Sequence, residues 1–165
     1  MKLSPDFMLA EFVRVPPSEV PVGVIENLER LCVTLLQPVR DAMGLTICIH
    51  SGWRAPDHNL AVGGVPTSDH GSGRAADFHV SHGGGQSWEE NTFQAFHWLR
   101  KNKLSQIGQL IMEDHRIVLK NKDKLWCHVA AVSEKHPGAG DKNQLLVSKM
   151  PGSYNTWQEE MDSFA

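Results

Sequence analysis

The chain has 165 residues, 41% of them hydrophobic and 21% charged, with a formal net charge of −3. That length suits one domain with a proper core, and the composition is that of an ordinary globular protein. The mild acidity gives no electrostatic reason to expect nucleic acid, and no apolar run approaches the length of a membrane span.

The opening segment MKLSPDFMLAEF carries Asp6 and Glu11 and lacks the uninterrupted apolar core of a signal peptide. Synthesis and folding in a cytoplasm are therefore expected, wherever the protein later acts. Residues 3–15 read as a short cap or helix with Phe7, Met8 and Phe12 turned inward, before Pro16, Pro17 and Pro21 turn the chain. From Val24 to Met43, apolar residues recur at three- and four-residue spacing, which predicts a helix. Pro38 should kink or divide it, and Gly44 is placed to cap it.

Leu45 to His50 has strand composition, with Leu45, Ile47 and Ile49 on one face. Residues 51–73 contain five glycines and two prolines and read as a long, functional loop without a regular element. Arg74 to Val80 is the next predicted strand, and Ala75, Asp77 and His79 share a face of it. After a flexible His82-Gly-Gly-Gly-Gln link, Ser87 and Glu90 form a capping box that starts a helix carrying Phe93, Phe96 and Leu99. Leu104 to Glu113 reads as a buried strand. Ile117–Leu119 and Leu125–Val129 are expected to form a hairpin around the polar tip at 120–124. The tail is expected to supply an edge strand at 144–148 and a last helix at 156–164. The domain proper would cover 1–135, with 136–165 as an extension packed on it. Cys32, Cys48 and Cys127 lack CxxC spacing and sit in apolar contexts, so buried free thiols are expected.

Chemistry concentrates between Ser51 and Phe78. His70 and Asp77 lie seven positions apart across a glycine-broken loop, and imidazole nitrogen with carboxylate oxygen suits a divalent metal. His128 is the best third ligand: it sits on a strand with Trp126 on the same face, and adjacent antiparallel strands would bring it to Asp77. Three protein ligands and one open position is the arrangement of a catalytic zinc site. The bland alternative has His70 as a loop histidine, Asp77 as a cap and His128 as a half-buried strand residue. From spacing alone the two readings stand about even. Among the other histidines, His79 shares a strand face with Asp77 and is the one that competes as a ligand.

The motifs SGWR-x-P-x-x-N, S-D-H-x-x-G-R-A-A-D-F and a late W-x-H resemble those of the M15 family of zinc D-Ala-D-Ala peptidases. The likeness is closest to its compact phage and prophage branch, whose members often open with a segment like LSPDFMLAEF, and it covers about residues 3–132. The amino-terminal domain of hedgehog proteins carries the same ligand triad and fold.

The resemblance implies an α+β, hedgehog/DD-peptidase-like fold: a mainly antiparallel sheet with helices on one side and a cleft across it. It implies one Zn²⁺ per chain, held by His70, Asp77 and His128, and hydrolysis of an amide bond in a peptidoglycan stem peptide. It also implies a general base ahead of the last ligand, for which Glu113 in Gln109-Leu-Ile-Met-Glu113 is chosen and Asp114 and Asp123 are the other candidates. Fifteen positions separate Glu113 from His128, a departure from the family spacing.

Arg54 stands where the family anchors substrate, and its guanidinium matches a carboxylate or oxyanion. The competing reading for Arg54 is a structural salt bridge to Asp57 or Asp77. Ser51 and Ser68 are placed to orient Arg54 or His70, and Ser68 also to meet substrate. Trp53 either stacks on substrate or covers the core. The expected protein is a monomer acting on the bacterial cell wall, after phage-mediated release or as part of a particle. The rival functions are a zinc-stabilised cell-wall-binding module and a structural phage component, both without turnover.

Overall fold

The computed structural model describes residues 1–114, 125–133, 145–150 and 153–156, the last two stretches by their backbone. The chain starts with two short paired strands, β1 (Lys2–Ser4) and β2 (Phe7–Met8), followed by a 3₁₀ turn at Leu9–Glu11. Phe7 and Phe12 are buried as expected, but Met8 points outward at 41% exposure, because alternation along β2 puts it opposite Phe7.

Helix α1 (Val22–Leu31) and helix α2 (Gln37–Met43) are joined by a π turn at Cys32–Leu36. Pro38 has no N–H, and the turn just before it is widened so that the Gln37 N–H reaches back to the Cys32 carbonyl. The predicted helix thus runs without a break in helical backbone from Val22 to Met43 and is divided by the wide turn at Cys32–Leu36, just before Pro38. Gly44 ends it in the left-handed conformation at φ 64°.

Strand β3 (Ile47–Ser51) leads into the stretch expected to be an irregular loop. That expectation is corrected: it holds helix α3 (Pro56–Ala61) and a 3₁₀ turn at Asp69–Ser72. Proline at the first helical position and Asp57 in the first turn are good helix starters, and the glycine count masked them. β4 (Ala75–Val80) follows. Helix α4 (Trp88–Asn102) begins with the predicted box, in which the Glu90 N–H donates to Ser87 Oγ and the Ser87 N–H to the Glu90 carboxylate.

β5 (Ile107–Asp114), expected as a separate buried strand, pairs antiparallel with β6 (Leu125–Ala131); the first strand of the expected hairpin, 117–119, and its tip lie outside the described residues. β7 (Leu145–Met150) and β8 (Ser153–Thr156) complete a six-stranded sheet of order β3-β4-β6-β5-β7-β8. β7 was expected at the edge. It instead lies between β5, to which it runs parallel, and β8, which takes the edge. Thr156 belongs to β8, and the rest of the expected last helix lies outside the described residues.

The fold is α+β, with antiparallel pairing throughout the sheet except at β5–β7. One face of the sheet is packed. Ala76, Phe78 and Val80 of β4, Cys127 and Val129 of β6, and Leu110 and Met112 of β5 join Leu28, Leu35, Phe96 and Leu99 of the helices in a single core. The alternate residues of the same strands face the other way, and those carry the chemistry.

Candidate metal centre

The antiparallel register of β4 and β6 sets Asp77 directly across from His128. His70 arrives from outside the sheet, on the 3₁₀ turn before β4, which closes at Gly73 with φ 72°. A side chain at Gly73 would also strike Val24, so glycine there serves both the turn and its seating on α1. His70 Nε2, Asp77 Oδ1 and His128 Nδ1 converge, each within 3.3 Å of the other two, and the shortest separation is 2.8 Å between Asp77 and His128. All three residues are nearly buried.

Three lone-pair atoms this close repel unless a proton or a cation sits among them. Zinc with bonds of about 2.0–2.1 Å in a tetrahedron separates its ligand atoms by about 3.3 Å, which is the spacing of His70 Nε2 from both partners. The Asp77–His128 pair, at 2.8 Å, has to open by about 0.5 Å to match, and with that small shift the residues fit the ion. His70 Nδ1 lies 2.7 Å from the Gly52 carbonyl and must donate to it, so the lone pair on Nε2 faces the centre. Gly52 itself is irreplaceable by geometry: a Cβ there would fall 2.6–2.8 Å from Phe12 atoms, two of them backbone. Burial works against the Asp77 charge, yet the imidazoles of His70 and His128 outweigh it and hold the carboxyl well below the usual carboxylate range. The group presents an anionic oxygen and two nitrogens, as a divalent metal requires. His128 Nε2, at the far side of its ring, is buried with no hydrogen-bond partner among the described residues.

The other oxygen of Asp77 accepts a 2.7 Å bond from Arg54 Nη2, and Arg54 Nε donates to Ser51 Oγ at 2.9 Å. The structural salt bridge weighed for Arg54 is thus formed, and with Asp77 rather than Asp57. Ser51 orients Arg54, as expected. The Trp53 ring packs against the core and its indole N–H donates to the Gly71 carbonyl, bracing the turn that carries His70. Ser68 lines a pocket of about 600 Å³ beside that turn, together with Asp57, Asn59, Thr67 and Arg74.

Glu113 is 8% exposed and is the register partner of Trp126, while Ile111 pairs with His128. Glu113 therefore lies on the face that bears the triad, diagonal to His128 on the adjacent strand. Asp114 is turned to the opposite face by strand alternation, and Asp123 lies outside the described residues. Cys127 faces the core, where burial pushes its thiol well up, as an inert cysteine requires. Cys32 is likewise buried and unpaired, whereas Cys48 is only half-buried.

His79 does not join the triad. Its Nδ1 meets His50 Nε2 at 2.7 Å, and burial followed by His50 and His82 lowers its pKa. The contribution of Gly52 and Trp53 in positioning His70 went unseen in the sequence, although both lie inside the SGWR motif.

No helix among the described residues is long and apolar enough to cross a membrane. No curated protein matches the chain. The family model described as Peptidase M15 matches residues 5–115, which include Arg54, His70, Asp77 and Glu113 and end before His128. With well over half of its length matched and a His-Asp-His group able to hold a metal, the chain belongs to the M15 peptidases, a family of zinc enzymes.

Proposed function

We propose that this protein is a zinc-dependent peptidase that hydrolyses an amide bond in the peptidoglycan stem peptide, as a D-Ala-D-Ala carboxypeptidase or an endopeptidase. The observation that carries the reading is the convergence of the donor atoms of His70, Asp77 and His128 within 3.3 Å of one another, with Glu113 on the same sheet face. His70, Asp77 and His128 would hold the ion with three protein ligands, the number found at catalytic zinc sites. Zinc, when bound there, supplies Lewis acidity that activates water and polarises the scissile carbonyl.

Glu113 takes the proton of the attacking water and delivers it to the leaving amine, so that the bond breaks without expelling an amide anion. Arg54 acts twice. Two of its five donors hold Ser51 and Asp77, which fixes the Asp77 carboxylate, and the remainder are available to a substrate carboxylate or oxyanion. Trp53, whose indole N–H braces the His70 turn, and Ser68, which lines the pocket beside it, are the further residues we assign to substrate.

The resemblance to compact phage and prophage members supports a phage or prophage origin and action on the cell wall, and we take the protein to act there as a monomer. The test is mass spectrometry of purified peptidoglycan fragments digested with and without a chelator. A metal-dependent loss of D-Ala or cleavage of a cross-link is expected, and the fragment masses name the bond. Unchanged muropeptides under every metal condition would overturn the peptidase reading and leave a binding module.

A further inference from the structure

β4 carries a second imidazole, His79, two residues beyond Asp77 on the same face. Its Nδ1 lies 2.7 Å from Nε2 of His50 on the neighbouring β3, and the two rings are tilted by 32° with centroids 4.7 Å apart. His82, just past the end of β4, lines the same pocket of about 240 Å³ as His50 and His79. Trp88 closes one side of that pocket, its ring edge-on to His79 at 5.4 Å. His50 and His82 are exposed and His79 is half-buried, so the pocket can be reached from solvent. None of these residues takes part in the triad or in the reaction proposed for it.

Two facing imidazole nitrogens at this separation share either one proton or one cation. Neighbouring nitrogen ligands on a metal with bonds of about 2.0–2.1 Å stand roughly 2.9–3.3 Å apart, so the pair needs to open by only a few tenths of an ångström. We propose that His50, His79 and His82 form a second, weaker metal site, for a transition-metal ion of the class of Zn²⁺, Ni²⁺ or Cu²⁺. Imidazole donors without carboxylates select that class over Mg²⁺ and Ca²⁺. His50 and His79 are already in contact, whereas His82 has to swing inward from an exposed position. Binding is therefore weaker than at the preassembled triad. On binding, each facing nitrogen presents its lone pair and each ring carries its hydrogen on the other nitrogen, so no proton need leave a neutral pair. Two residues along a strand span roughly 6.6 Å, which separates this site from Asp77 along β4 and makes the two sites independently removable.

The experiment uses the whole chain, stripped with a chelator and then dialysed against buffered Zn²⁺ of rising concentration, with bound zinc measured by mass spectrometry. The expected result is about two equivalents in two affinity classes. Asp77→Asn should remove the tight class and leave the weak one, and His50→Ala with His79→Ala should do the reverse. Saturation at about one equivalent, or a second equivalent that survives the paired substitution, overturns the proposal. If circular dichroism shows the paired variant unfolded, His82→Ala decides. It alters one exposed side chain, and an unchanged weak-class affinity in that variant also overturns the site.

Discussion

The two faces of β4, β5 and β6 are built from alternate residues of the same three strands, and they do opposite work. On one face Phe78, Cys127 and Met112 are fully buried against the helices. On the other, one residue away in each case, stand Asp77, His128 and Glu113. The pairings Asp77 with His128 and Phe78 with Cys127 belong to one register, so the apolar face that stabilises the sheet also aligns the ligands. A slip of one residue would turn the ligands toward the helices and the core side chains away from them. Core packing is thus the source of the precision of the metal centre.

Substitutions on the two faces should therefore fail in different ways, and the largest effect belongs to Asp77→Asn. Zinc content should fall by the triad's equivalent and hydrolysis to background, while chelator, expected to lower the melting temperature of the wild type, should shift that of the variant much less. Glu113→Gln comes next. Turnover should drop by about 10²–10⁴-fold with zinc retained, and full activity in that variant would remove Glu113 from the role of base.

On the core face, Phe78→Ala should cost about 3–5 kcal/mol in denaturant unfolding while each folded molecule still binds its zinc. Loss of metal from the folded fraction of that variant would break the division between faces. Gly52→Ala links the two, because its Cβ collides with Phe12 and displaces the carbonyl that orients His70. A destabilisation of about 1–3 kcal/mol together with weakened zinc binding is expected. The smallest effect is that of Ser87→Ala, which removes the cap of α4 for about 1 kcal/mol and should leave activity per folded molecule unchanged.

Much of this was legible one residue at a time. The capping box at Ser87, the glycine that ends α2 and the alternation along β4 are local signals, because each depends on backbone geometry within a few residues. Helix α3 was missed because its local start signal was outweighed by the glycines around it, and the placement of β7 was missed because pairing partners are not local. Asp114 and Glu113 could not be separated by composition, whereas the strand's alternation places them on opposite faces.

By itself the sequence determined the identity of the donors and their family, since the residue types in SGWR, the His-to-Asp segment and W-x-H are those the chemistry needs. Only the tertiary structure decided which of the histidines among the described residues converge. His79 is nearer to Asp77 in sequence than either His70 or His128, yet it pairs with His50. Proximity along a strand separates side chains by the strand's rise, while register across strands and a turn folded over the sheet bring distant ones into contact.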